Sequence, residues 1–558
     1  MWFPVLLLVL APAFALAARR GWLASPRVRW AMGLAGAGLA VAALPDVGAD
    51  FERLKHFKML LAASVAAVLA SHAVRPWGRN ALDGTLLVLA VLGVANWINY
   101  GAFHGQRVFV HWHDVAHYYL GAKYYDELGY TDLYVAMLRA EAENHDDHFR
   151  ALEARDLTDY RRVDIRTLLR KSDPVKEKFS AERWFDFRRD ADYFRENLRE
   201  HYGKVLLDHG FNPTPVWALV GGGLAQGVAP GSGRGLFLLS LLDPLLLLLA
   251  FAAVGWAFGR RTLLLSVLLF TVVLGATFGW VGGAFLRYTW FFGVVAGLAC
   301  LRKRRYGLAG GLFALATMLR VFPFFFLLPL AAKAAWGLWR HRRVEARYLR
   351  LAAGFAAVGV ALFLATGLLP RGYGHWGEFR ENMQLHLKNI APNVVGVTEV
   401  VAHRWGVDGL VTQEEFDALK ERRYRLHTVQ RVVFFLPLAL AVAWASRRRG
   451  DLTCVALAFP LLLSGLSLAA YYYVFLVVLI PIFRRSTPAL ALIFAGEALA
   501  FSLRLFEDAE ARIFIYRTVG LLWLYAVLLI RPPRAVNMAA AEPESAADPE
   551  TAPSESSP

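Results

Sequence analysis

Residues 84–103, GTLLVLAVLGVANWINYGAF, lead into HWHDVAHYYLGAKYYDELGYTDLY at 111–134. The first stretch has the length and apolarity of a helix that crosses a bilayer, about 20 residues. The second is crowded with histidine, aspartate and tyrosine, side chains that handle protons and hydrogen bonds. Why a polar cluster should end a membrane helix depends on what surrounds it.

Apolar runs recur near 1–18, 30–45 and 58–74 on the N-terminal side. On the C-terminal side they lie near 235–258, 262–281, 288–301, 306–338, 350–369, 431–446, 451–483, 487–504 and 513–531. At 57% hydrophobic residues and a mean hydropathy of +0.39, the chain is too apolar for a soluble globular protein. The expected fold class is all-α, a polytopic integral membrane protein of about 13–15 transmembrane helices with an extracytoplasmic loop domain of short helices.

The net charge of +16 does not call for nucleic acid. The clusters RKRR (302–305), RHRR (340–343) and SRRR (446–449) each border an apolar run, where basic residues fix orientation by staying in the cytoplasm. With every such junction cytoplasmic, 306–338 and 451–483 must each cross twice, and both long polar loops lie outside. The opening run has no basic residue before it and Arg19 and Arg20 after it, the reverse of a signal peptide. It reads as a first transmembrane helix with its N-terminus outside. Cys300 and Cys454 fall in apolar segments and form neither a disulfide framework nor a thiolate metal site.

The expected organisation is 1–103, N-terminal transmembrane helices; 104–211, an extracytoplasmic first-loop domain; 212–369, a central transmembrane core; 370–430, a second extracytoplasmic loop; 431–531, C-terminal transmembrane helices; and 532–558, a disordered cytoplasmic tail. The first loop mixes charges of both signs, as a solvated surface over a small core does. FNPTPVWALVGGGLAQGVAPGSG (211–233) opens on prolines and closes on glycines, and a full crossing there would invert the next Arg pair. It is expected to be re-entrant or interfacial, against protein or a water-filled cavity.

Asp114, Tyr118 and Ala122 are four apart, which places them on one helical face. A carboxylate at a membrane surface can accept a proton from a bound hydroxyl group. Alternatively, Asp114 caps the helix that follows it. His111, His113 and His117 around Asp114 have a spacing that can bind zinc or manganese, with HDDH (145–148) as a further source of ligands. They match no known metal spacing, so no metal and no cofactor is expected, and no phosphate-binding glycine loop is present.

D-x-x-x-Y-Y-x-x-A from Asp114, followed by L-G-x-x-x-L-Y, resembles the first extracytoplasmic loop of the glycosyltransferase-C superfamily. The closest likeness is to bacterial polyprenol-phosphate-mannose-dependent mannosyltransferases. YGLAGGLFALATMLRVFPFFFLLPL (306–330) is similar to that family's small-residue helix, with Arg320 in place of the usual lysine and Pro323 in place of its proline. NPTP (212–215) is similar to the proline pair that closes the family's first loop. Three apolar spans precede the one that leads into the motif, where family members commonly have one span, the first loop is longer than usual, and the polar motif expected near 284–290 reads AFLRYTW.

The resemblance implies a membrane glycosyltransferase moving mannose or another hexose, with inversion, from a polyprenyl-phosphate carrier to a glycolipid or polysaccharide acceptor. It implies a place in a bacterial cytoplasmic membrane, with the N-terminus and active-site loops extracytoplasmic and the C-terminus cytoplasmic. Asp114 takes the place of the catalytic base. Arg320, Arg287 and Lys388 are the expected partners of the donor phosphate, since a guanidinium offers a fork of donors to anionic oxygens. His113, His117, Tyr118, Tyr119, His386, Asn389 and Asn393 are the expected contacts to sugar and acceptor. A lipid or polysaccharide transporter or flippase, and a non-catalytic envelope assembly protein, are the rival classes.

Overall fold

The computed structural model describes residues 51–104, 107–387, 394–402, 431–466, 468–507 and 510–526, with a few isolated positions between 422 and 429. The expected spans near 1–18 and 30–45, the outward N-terminus, Lys388, Asn389, Asn393, most of the second loop and the C-terminal tail lie outside the described residues.

Helix accounts for 77% of the structure and strand for 3%, so the chain is mostly helical as its apolar runs require. Among the described residues, six helices are long and apolar enough to cross a membrane: Glu52–Val74, Arg79–Trp97, Gly233–Phe258, Phe322–His341, Ala346–Leu368 and Thr487–Leu505. Shorter apolar helices cover Thr289–Arg302, Tyr306–Leu319, Val432–Ser446, Asp451–Gly465 and Ala470–Phe483.

Both runs expected to cross twice are interrupted in the middle. The helix Tyr306–Leu319 stops at Arg320, whose φ of −150° is extended, and the chain resumes as a 3-10 turn at Phe322–Leu327 and a helix at Leu328–His341. The other run breaks after Gly465, where Val394–Val395 pairs antiparallel with Leu468–Ala469. Asp451 shows that the first run folds back. It accepts the Tyr306 hydroxyl at 2.6 Å, the Tyr348 hydroxyl at 2.8 Å and Lys333 Nζ at 2.7 Å, so the starts of two helices and the body of a third meet there. Arg320, at the other end of Tyr306–Leu319, meets the first-loop domain.

The run 262–281 departs from expectation. Its helix, Arg260–Val272, ends nine residues early because the backbone must turn at Gly275, where φ is +90° and a Cβ would lie 2.6 Å from the Ala470 carbonyl oxygen. Residues 211–233 form a helix, Pro215–Gln226, capped by the Thr214 hydroxyl. Twelve residues reach about 18 Å, too short for a crossing.

Small residues set the closest helix contact. A Cβ on Gly310 would lie 2.0 Å from the Leu351 carbonyl oxygen, and one on Gly354 would lie 1.9 Å from that of Gly307, so Tyr306–Leu319 and Ala346–Ala365 touch backbone to backbone.

The first-loop domain has its own core, built from Tyr119, Leu138, Phe187 and Phe194 among others. The core does not end at 211: Trp217, Phe285 and Leu319 belong to it. Lys123 and Asp190 pair at 2.8 Å, 3% and 1% exposed, and Asp190 also accepts the Tyr124 hydroxyl and the Gly231 N–H, both at 2.8 Å. That buried pair therefore fastens the loop domain to the chain entering Gly233–Phe258.

Gly354→Leu is expected to lower the unfolding temperature of the detergent-solubilised protein sharply. Gly359→Leu, on the same helix with nothing within 4 Å of its Cβ position, should leave it nearly unchanged. Thermal unfolding of the two variants side by side checks the contact.

Candidate functional site

Asp114 lies on Trp112–Val115, the first turn of a helical run that continues through a π-turn at Ala116–Leu120 and ends at Gly121–Lys123. Its cap is His111: Nδ1 accepts the Asp114 N–H at 3.0 Å, so Nε2 carries the proton and donates to the Gly279 carbonyl at 3.0 Å. The capping role open to Asp114 thus falls to His111, and the carboxylate is free to point elsewhere.

It points at Arg287. The Asp114 carboxylate and Arg287 Nη1 are 3.2 Å apart, with the side chains 13% and 9% exposed. The same Nη1 donates to the Tyr118 hydroxyl at 3.0 Å, and Arg320 Nη2 donates to that hydroxyl at 3.1 Å. Tyr118 in turn donates to Asn212 Oδ1 at 3.2 Å. One phenol oxygen therefore sits between two guanidiniums, and one carboxylate balances the pair. The Tyr471 ring lies 4.6 Å from the Arg287 guanidinium. Nε of both Arg287 and Arg320 is buried without a hydrogen-bond acceptor.

Packing explains why residues so far apart in sequence converge. Phe285 stacks edge-on to Trp217 at 5.3 Å, and Trp217 to Tyr118 at 5.1 Å, which draws the 282–288 loop under the first loop. Gly283, with φ +69°, lets the two backbones touch: a Cβ there would lie 1.8 Å from the Phe109 carbonyl oxygen, and His111 N–H bonds to the Gly283 carbonyl at 2.9 Å. Leu286 holds φ +55°, left-handed backbone that a branched side chain rarely adopts, and it aims the next residue, Arg287. Asp243 accepts the Tyr288 N–H at 3.1 Å and pins the loop from below. Arg320 is delivered by its helix end, one residue past Leu319 in the loop-domain core.

The other expected residues are placed differently. His113 Nε2 lies 2.9 Å from Asp208, and His209 Nδ1 lies 2.8 Å from the other oxygen of that carboxylate. Burial opposes charge on Asp208, but its bonds to His113 and His209 hold the carboxyl well below the usual range. His117 is buried against the Tyr134 hydroxyl at 2.8 Å and the Val205 carbonyl at 3.2 Å. His386 stacks edge-on to His209 at 5.7 Å, and its Nδ1 is buried with no hydrogen-bond partner. Burial, with His209 and Arg320 close by, lowers its pKa to about 4. Tyr119 does not join the group: its hydroxyl accepts a hydrogen bond from Lys123 Nζ at 2.8 Å inside the loop-domain core.

Two sets of ligand-type atoms lie within 4.8 Å of one another among the described residues, those of His145, Asp192 and Glu196 and those of His113, His117 and Asp208, and neither includes Asp114. Each member already has a protein partner, and hydrogen bonds satisfy the cluster. Of HDDH, His145 belongs to the set with Asp192 and Glu196, 2.6 Å from Asp192. Asp208 and Tyr471 stand out in the sequence by no motif: Asp208 follows an apolar stretch before His209, and Tyr471 opens a run of three tyrosines.

Comparison with protein-family models, with curated proteins and with solved structures finds no match for the chain.

His111 gives a pH prediction. Burial first, and then the neighbouring His104, lower its pKa from 6.5 to about 3, so the folded protein keeps it neutral where the unfolded chain protonates it. Its contribution to stability is complete above pH 6.5 and is lost as pH falls toward 3. His111→Asn retains a capping acceptor without the titration. Between those pH values the variant should lose less thermal stability than the wild type, and parallel unfolding profiles would rule out the neutral cap.

Proposed function

We propose that this chain is a membrane glycosyltransferase of the glycosyltransferase-C type, which transfers a sugar from a polyprenyl-phosphate carrier to a hydroxyl acceptor outside the cytoplasmic membrane. The observation that carries the reading is the convergence of Asp114, Arg287 and Arg320 on the Tyr118 hydroxyl. Two guanidiniums and a single carboxylate leave one positive charge in a largely buried place. A phosphate monoanion would balance it, and the unpartnered Nε donors suit its oxygens.

Chemically, the donor phosphate takes the guanidiniums and displaces the Asp114 carboxylate from Arg287. The freed carboxylate accepts the proton of the acceptor hydroxyl. The acceptor oxygen bonds to the anomeric carbon as the bond from that carbon to the phosphate oxygen breaks, and polyprenyl phosphate leaves. In-line displacement of this kind inverts the anomeric configuration. His113 and His386, linked to one another through Asp208 and His209, are the proposed partners of sugar or acceptor hydroxyls.

A transporter of lipid-linked sugar is the second reading. The two interrupted apolar segments favour it, because broken helices frame binding sites in transporters. Incubation of the purified protein with labelled polyprenyl-phosphate hexose and mixed lipid acceptors separates the two, since only the enzyme forms a new glycoside. Asp114→Asn should cut transfer about 10²–10⁴-fold with unfolding temperature preserved. A variant that turns over at the wild-type rate removes Asp114 as the base.

A further inference from the structure

Two apolar helices end together on a patch of tryptophan and arginine. Leu328–His341 ends in Arg340 and His341 and turns through Arg342 and Arg343, and Leu436–Ser446 runs into Arg447, Arg448 and Arg449. Trp336 joins the two: its ring lies 4.9 Å from that of Trp339 on its own helix and 6.0 Å from that of Trp444 on the other. The Arg447 guanidinium lies over the Trp444 ring and 5.0 Å from the Trp336 ring. Arg340 and Arg448 both act electrostatically on Arg447, so the three charges share one place.

Neither neighbouring carboxylate is left over for them. Asp451 is taken by Lys333 at 2.7 Å and by the Tyr306 and Tyr348 hydroxyls, and Glu345 by Arg347 at 2.8 Å. Arg340, Arg342, Arg343 and Arg448 are exposed, and none of the four has an ion pair or a side-chain hydrogen bond among the described residues. Orientation in a membrane accounts for basic residues at such junctions, but it does not require tryptophans stacked among them. Leu436, Leu440, Trp444 and Arg448 are spaced by four, which places them along one face, and all are exposed. Trp339 and Trp444 are 66% and 61% exposed, so their rings meet whatever surrounds the helices. Leucine, then indole, then guanidinium follows the order of hydrocarbon, interface and headgroup across a leaflet.

We propose that this patch binds an anionic phospholipid from the leaflet that these helix ends reach, with the phosphate on Arg340 and Arg448 and the glycerol and first methylenes against Trp339 and Trp444. A guanidinium gives two donors to one phosphate, and basic residues at the ends of membrane helices draw anionic headgroups. The chain's own acidic stretch, with Glu542, Glu544, Asp548, Glu550 and Glu555, is the competing anion, but 541–558 has no aromatic or branched aliphatic residue to cover the indoles. The patch lies at the Asp451 end of Tyr306–Leu319, away from Tyr118, and stands whether or not the chain transfers sugar.

The test uses the full-length protein in neutral detergent, titrated with phosphatidylglycerol, phosphatidylcholine and glycerol phosphate, with bound lipid counted by native mass spectrometry. Phosphatidylglycerol should bind, phosphatidylcholine about tenfold more weakly, and glycerol phosphate more weakly still. Arg340→Gln with Arg448→Gln should weaken phosphatidylglycerol binding about tenfold at an unchanged unfolding temperature. Arg340→Lys with Arg448→Lys, which keeps both charges, should restore most of it. Arg302→Gln with Arg304→Gln removes the same charge from another exposed junction and should leave binding intact. Equal losses from the two glutamine pairs would show diffuse attraction in place of a site and overturn the proposal, as would equal affinity for phosphatidylcholine or for glycerol phosphate. If phosphatidylglycerol binds only after the five carboxylates at 542–555 are replaced by amides in the full chain, the acidic stretch occupies the patch and the lipid assignment falls.

Discussion

The Tyr118 hydroxyl accepts hydrogen bonds from two guanidiniums, and that arrangement organises everything around it. Like charges brought to one oxygen repel, and burial makes the repulsion worse. The Asp114 carboxylate on Arg287, the Tyr118 and Tyr471 rings beside the guanidiniums, and the Asn212 amide oxygen all act to hold them. Each restraint comes from a different part of the chain: the first loop, the turn after it, the 282–288 loop and the far helices. Without the cations, the packing of Phe285 on Trp217 and of Trp217 on Tyr118 would be left to hold those segments together.

The same restraint explains the architecture on the opposite side. Arg320 can reach Tyr118 only if Tyr306–Leu319 ends there, so the helix must start on Asp451 and run directly to the loop domain. Its glycine face lets Ala346–Ala365 travel alongside at backbone contact. A loop domain with its own buried ion pair then gives the site a rigid roof, while the interrupted segments give it walls without long unbroken helices.

Much of this was legible in the sequence, for reasons that can be named. Four-residue spacing put Asp114 and Tyr118 on one face, and both do meet Arg287. Arginine-rich junctions implied that 306–338 folds back, and the Asp451 junction has that geometry. The ion pair between Asp114 and Arg287 was not legible, because nothing local links a loop aspartate to an arginine brought in by the packing of Phe285 on Trp217. The same limit hid Asp208, and it gave Tyr119 a place beside its neighbour when helical rotation turns it toward Lys123. The early end of Arg260–Val272 was hidden as well, since a close approach by Ala470 leaves no mark on hydropathy.

Fastened at Tyr306 and at Arg320, the helix between them behaves as a strut of fixed length. Fourteen residues measure about 21 Å, well under the roughly 30 Å of a hydrocarbon layer. A bilayer that met so short a member would thin toward it to limit the mismatch. The ends of the strut would then lie nearer the two faces of the layer than those of the longer helices around it.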